Sequence, residues 1–198
     1  MASSSGKRLR LFIALDLPAE VRRAIVRWGD HELADSALRP VDEDALHVTL
    51  AFLGQRPEEE VEPLARLIST LRHPAPRLAL TGVTPIPGRQ PRLFALDAEA
   101  PEAAALQAEL VAAGREAGLI EPEERPFWPH VTAARVRSER RGSRRAARVT
   151  EPPGELAADL RKPFRCVRVT LYRSLTGPAG AEYVPLAQVE LPEKAAVR

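Results

Sequence analysis

The stretch His47-Val48-Thr49-Leu50 returns 83 residues later as His130-Val131-Thr132-Ala133. Successive side chains of a β-strand point to opposite faces. In each stretch the imidazole and the hydroxyl therefore share one face and the apolar residues share the other. The apolar face suits a core. The polar face offers a titratable group and a hydrogen-bond donor to a cleft. The chain has only four His and eight Thr in 198 residues, so the recurrence is a moderately specific constraint.

A second echo keeps nearly the same offset. Arg92-Leu93-Phe94-Ala95-Leu96-Asp97 repeats Arg10-Leu11-Phe12-Ile13-Ala14-Leu15-Asp16, 82 residues on. Two landmarks at nearly equal separations point to an internal duplication, about 10–91 and 92–174. The elements follow in order. Residues 8–17 alternate as a strand. Pro18 suits the first turn of a helix whose apolar stripe is Val21, Ala24, Ile25 and Trp28, with Gly29-Asp30 as its end. A short strand at 38–41 precedes the first His strand, 46–53, which Gly54 closes. Pro57 and three acids open a helix with Val61, Leu64, Ile68 and Leu71 on one face. A strand at 77–84 and a Pro-rich loop end the first unit. In the second unit Pro101 starts a helix carrying Ala103, Leu106, Leu110, Ala113 and Ala117. The second His strand follows, then an Arg-rich stretch, and then a strand at 164–173 in the place of 77–84. Residues 177–180 turn the chain into a closing strand, 181–191. Residues 1–6 and 193–198 read as loose ends.

The expected fold class is α+β: one domain over 8–191, with two pseudo-symmetric lobes of mainly antiparallel sheet, outer helices and a groove between the lobes. Phe12, Phe94 and Tyr183 fall at matching places and are candidates to line that groove. For any single one of them, an ordinary core aromatic is the stronger reading.

Composition excludes several classes. A chain of this length can bury a real core. Net charge is +2 although the pI is about 9.0. Lys7, Lys162 and Lys194 are the only lysines, so positive charge is almost all Arg, which suits planar recognition of phosphate. The richness in Ala and Pro marks a compositional bias that accounts for the Arg total as well. Cys166 stands alone, which rules out an internal disulfide and fits a reducing cytoplasm. The apolar run 11–15 is too short for a membrane span and lacks a signal-peptide cleavage site. A cytoplasmic, membrane-free monomer is expected.

These residues resemble the 2H phosphoesterase superfamily. The resemblance rests on 10–18, on His47-Val-Thr-Leu-Ala-Phe-Leu-Gly54 and on Pro129-His-Val-Thr-Ala-Ala-Arg135, and it spans about 8–191. Within the superfamily the chain is similar to the RNA 2′,3′-cyclic phosphodiesterases, also called 2′-5′ RNA ligases. Ala133 stands where that family has a larger apolar residue, at a core-facing position. The resemblance implies hydrolysis of a 2′,3′-cyclic phosphate to a 2′-phosphate, with reversible 2′-5′ joining. It implies His130 as the base towards water and His47 as the acid towards the 3′-oxygen. The expected partner is an RNA ending in a 2′,3′-cyclic phosphate, or a small cyclic nucleotide. A 2′-5′ oligonucleotide phosphodiesterase and a non-catalytic nucleotide-binding module are the alternatives.

The residues themselves fit that chemistry. Two imidazoles across a groove form an acid–base pair that works near neutral pH. Thr49, Thr132 and Arg135 are candidates to hold the non-bridging phosphate oxygens. Strict alternation from His130 sets Arg135 on the wrong face. A bulge or strand end would turn it inward, and otherwise it is a surface cation. Neither His has an Asp, Glu or Cys beside it at ligand spacing, so no metal and no cofactor are expected. Arg140, Arg141, Arg144 and Arg145 belong to a cluster over 135–148 that reads as an RNA-backbone track or as a solvated loop. His31 and His73 lack a Thr partner and read as surface residues.

Overall fold

The computed structural model describes residues 7–121, 123–140, 142–177 and 180–193. Apart from Glu193, the expected loose ends lie outside the described residues, and so do Arg141 and the tip of the 177–180 turn. The strands are β1 (Arg8–Asp16), β2 (Leu38–Pro40), β3 (His47–Pro57), β4 (Arg77–Ile86), β5 (Leu93–Glu99), β6 (His130–Val136), β7 (Phe164–Arg165), β8 (Arg168–Gly177) and β9 (Gly180–Glu190). The helices are α1 (Ala19–Glu32), α2 (Val61–Ser69) and α3 (Pro101–Glu116).

All nine strands pair antiparallel, in the order β7-β4-β5-β6-β3-β1-β8-β9, with β2 added to β6. The two His strands, β3 and β6, meet in the middle at one pair, Val48 opposite Val131. One lobe is β3-β1-β8-β9 and the other is β6-β5-β4-β7. The lobes are therefore not the two sequence units: β4 lies in the second lobe and β8 in the first. A short connection explains the exchange. β4 and β5 flank the six residues 87–92, which fold back so that Ile86 pairs with Leu93. Sequence-adjacent antiparallel strands pair most readily. The place beside β1 is then filled by β8. The strand expected over 164–173 is in fact split. Phe164–Arg165 pairs with β4, and the chain crosses to β1 from Arg168 onward.

One face of the sheet buries the main core. Leu11, Ile13, Leu15, Val48, Leu96, Val131 and Leu171 are all at most 1 % exposed. The helices cover that face. Leu64 and Ile68 of α2 and Leu106 and Leu110 of α3 are fully buried in it. Each such side chain contributes about 1.5–3 kcal/mol on leaving water. The other face carries a small separate cluster, Phe12, Ala14 and Tyr172, with Tyr183 packed on its edge.

Two expected element ends fail at glycine. α1 runs through Gly29 to Glu32, because Gly29 is buried and its missing side chain makes room for Leu33, 3.1 Å from where a Cβ would stand. β3 runs through Gly54 to Pro57. Gly54 takes a left-handed φ of 69° and sits where the β1 register shifts, so it forms a bulge rather than a stop.

Candidate active site

The Val48–Val131 pair positions the site. In antiparallel strands that register sets His47 beside Thr132 and Thr49 beside His130. All four polar side chains lie on the face opposite the two buried valines. They are half-buried, whereas Val48 and Val131 are fully buried.

Both His strands then break alternation at the same point. In β3 the partners of Ile13 and Ala14 are Ala51 and Thr49, so β3 carries one extra residue there. In β6 the partners of Phe94 and Ala95 are Ala134 and Thr132, again with one extra residue. Leu50-Ala51 and Ala133-Ala134 are consecutively buried pairs. Each bulge returns the next side chain to the polar face. Arg135 is thereby turned into the cleft, and so is Phe52 in the other strand.

The two imidazoles are held alike. His47 Nδ1 lies 2.7 Å from the carbonyl oxygen of Ala45, and His130 Nδ1 lies 2.9 Å from that of Trp128. A carbonyl only accepts, so each Nδ1 carries its proton and donates it. Nε2 is left as the working nitrogen in both rings. For His47 that nitrogen lies 3.2 Å from Thr49 Oγ1, which donates to it while the ring is neutral. Phe12 and Tyr183 pack on His47, with ring centroids at 5.0 and 5.3 Å. Burial pushes the His47 pKa down to about 4. The Ala45 hydrogen bond and the charge of Asp16 pull it up, while His130 and Arg135 press it down. Trp128 stacks on His130 at 3.9 Å with the planes 19° apart.

A carboxylate stands opposite each His in the neighbouring strand: Asp16 pairs with His47 and Asp97 with His130. Asp16 is buried and accepts from Arg168 Nε at 2.5 Å, Thr170 Oγ1 at 2.8 Å and Tyr172 Oη at 2.8 Å. Asp97 accepts from Thr84 and from Trp128 Nε1, the latter at 3.0 Å. Each carboxylate thus fixes an aromatic near its histidine: Tyr172, 6.2 Å from His47, and Trp128 on His130.

His47, Thr49, His130, Thr132, Arg135, Phe12 and Tyr183 line one cleft of about 240 Å³, together with Arg10, Phe52 and Ser174. Phe94 does not join them. It is 2 % exposed and belongs to the main core. The pairing explains why. Phe12 pairs with Phe52, and Leu93 pairs with Arg135, so the counterpart of Phe12 is Leu93. The echo aligned from its Arg is one residue off the echo aligned from its Asp, and one residue reverses the face. Arg140, Arg144 and Arg145 line none of the cleft. They are exposed, and Arg145 lies 3.7 Å from Glu139. Arg141 is outside the described residues. Their segment is tied at both ends: Arg137 Nε donates to the Leu38 carbonyl, and Asp35 accepts from the backbone and hydroxyl of Thr150. Sequence reasoning missed Phe52, Arg10 and Trp128. The 83-residue offset that relates the histidines also relates Phe52 to Arg135 and would have found Phe52.

Among the described residues no group of three or more His, Cys, Asp or Glu is arranged to hold a metal ion. No helix among them is long and apolar enough to cross a membrane. Cys166 is buried, and burial pushes its thiol pKa up, so it has no part in the cleft chemistry.

Fold and cleft together define a two-histidine protein of the phosphoesterase class. The chain belongs to the 2′-5′ RNA ligase superfamily, whose family model matches residues 17–178. It is 33% identical over 181 residues to the RNA 2′,3′-cyclic phosphodiesterase of Escherichia coli, covering 89% of this chain and 93% of that one. It is 40% identical over 139 residues to the enzyme of the same name from Thermus thermophilus, covering 64% and 68%. The crystal structure of E. coli LigT complexed with 3′-AMP superposes with a TM-score of 0.72 at 31% identity, over 93% of this chain and 99% of that one.

Proposed function

We propose that this chain opens RNA 2′,3′-cyclic phosphate ends to 2′-phosphates, with His47 and His130 as its acid–base pair. The observation that carries the reading is the matched pair of imidazoles, each with Nδ1–H tied to a carbonyl and Nε2 facing one small cleft, that of His47 beside the Thr49 hydroxyl. In the reaction, His130 Nε2 takes a proton from water as its oxygen attacks phosphorus. The P–O3′ bond breaks, and His47 Nε2–H gives its proton to the departing 3′-oxygen. Thr49, Thr132 and Arg135 hold the non-bridging oxygens as their charge grows. The depressed pKa of His47 leaves it neutral in the free protein at pH 7. It gains its proton when the anionic phosphodiester binds beside it, because an adjacent negative charge favours the imidazolium.

Arg140, Arg141, Arg144 and Arg145 follow the backbone of a longer RNA, and the tethers of Arg137 to Leu38 and of Thr150 to Asp35 anchor the two ends of the stretch. We read the chain as acting as a monomer. A lone, buried thiol fits a cytoplasmic setting. The same chemistry serves 2′-5′ joining when a 5′-hydroxyl replaces water.

The test is incubation of the purified protein with 2′,3′-cyclic AMP in EDTA and identification of the product. This reading expects 2′-AMP. Formation of 3′-AMP, or turnover that appears only on adding Zn²⁺ or Mn²⁺, contradicts it.

A further inference from the structure

The cleft has a larger neighbour. A second cavity of about 620 Å³ lies between α3 and the segment leading into β6. It shares Thr49, Phe52 and His130 with the cleft but not His47, Thr132 or Arg135. It therefore opens on the His130 side alone. Phe52, 61 % exposed, and Trp128, 40 % exposed, line it. A single exposed ring is ordinary, but two on the wall of one cavity form the kind of apolar patch that marks a ligand groove. Trp128 is held rigid by its bond to Asp97 and gives one face to His130. Its wall charges cancel: Arg115 and Arg125 against Glu121 and Glu123. Flat exposed rings with no net charge suit a nucleobase rather than a phosphate.

The reaction gives this side a meaning. Attacking and leaving oxygens stand roughly in line across phosphorus. With the 3′-oxygen leaving on the His47 side, the attacking group arrives from the His130 side. Water needs no cavity of that size, whereas a nucleoside does. We propose that this cavity binds the nucleoside whose 5′-hydroxyl takes the place of water in 2′-5′ joining, with its base among Phe52 and Trp128. The proposal rests on the cyclic phosphodiesterase reading above. In joining, the 5′-oxygen bonds to phosphorus and the P–O3′ bond breaks. The 5′-hydroxyl proton passes to His130 Nε2, and the 3′-oxygen takes one from His47 Nε2. In the reverse cleavage the 3′-hydroxyl attacks, the 5′-oxygen leaves, and the two histidines exchange roles.

Two substrates test it: 2′,3′-cyclic AMP, which leaves the cavity empty, and adenylyl-2′,5′-adenosine, whose leaving adenosine must occupy it. Ala112, exposed on α3, lines the cavity and not the cleft. Ala112→Trp fills space there. We expect kcat/KM on the dinucleotide to fall about tenfold or more, as loss of one stacked base does, while cyclic AMP hydrolysis stays within about twofold. Phe52→Ala should lower the dinucleotide-to-cyclic-AMP ratio in the same direction, and it decides the matter if Ala112→Trp fails to fold. Unchanged ratios in both variants overturn the proposal. So does a wild-type protein that hydrolyses cyclic AMP but does not cleave the dinucleotide. A wild-type protein inactive on cyclic AMP overturns the phosphodiesterase reading instead.

Discussion

At the scale of single residues, the burial of His47 has a measurable cost. Its pKa falls from about 6.5 in the unfolded chain to about 4 in the folded one. The folded state therefore prefers the neutral ring. The stability this contributes is complete above about pH 6.5 and is lost as pH falls towards 4. The full effect is about 3 kcal/mol. Urea unfolding at pH 7.5 and 4.5 checks it. The wild-type protein should lose more stability between those values than His47→Gln does, and equal losses would show that His47 is not desolvated. The threonines belong to the same scale. Thr49→Val or Thr132→Val should lower kcat on a cyclic phosphate by about 10- to 1,000-fold, as removal of one oxyanion donor does. Steady-state kinetics measure that directly, and a change below twofold would remove the hydroxyl from the chemistry.

At the scale of elements, the paired His-x-Thr strands were legible because alternation is local: two residues apart means one face. What alternation could not tell was where it stops. The bulges after Thr49 and Thr132 depend on pairing with β1 and β5, and they decide whether Arg135 and Phe52 reach the cleft. Phe94 was misplaced by the same kind of one-residue shift. Gly29 read as a helix end because its use is tertiary: it makes room for Leu33. Gly54 read as a strand end, whereas its left-handed φ is needed for the bulge. Gly54→Ala should therefore destabilise the protein by about 1–2 kcal/mol although the space around it is open. Thermal unfolding gives the answer, and an unchanged or raised Tm would show that the bulge tolerates a side chain.

At the scale of the whole molecule, the α+β class, the antiparallel sheet and the outer helices could be read from the order of elements. The exchange of β4 and β8 between lobes could not, since it follows from which strands meet across long separations. The role proposed for the Arg-rich segment also belongs to this scale, since it concerns a length of RNA rather than one phosphate. Replacing Arg140, Arg141, Arg144 and Arg145 with Gln should weaken binding of an oligonucleotide ending in a cyclic phosphate. The slope of log affinity against log salt should drop by up to about 3. Hydrolysis of cyclic AMP should hardly change. Equal losses on both substrates would mean that the segment supports the cleft structurally.

The central claim is that two histidines act as one acid–base unit, and one kinetic comparison tests it most directly: kcat on 2′,3′-cyclic AMP for the wild-type protein, His47→Ala, His130→Ala and the double variant. Each single change should cost about 10²- to 10⁴-fold. The double variant should be little worse than either single one, because members of a catalytic unit are not additive. A single variant retaining near wild-type turnover, or losses that multiply in the double variant, would contradict the account.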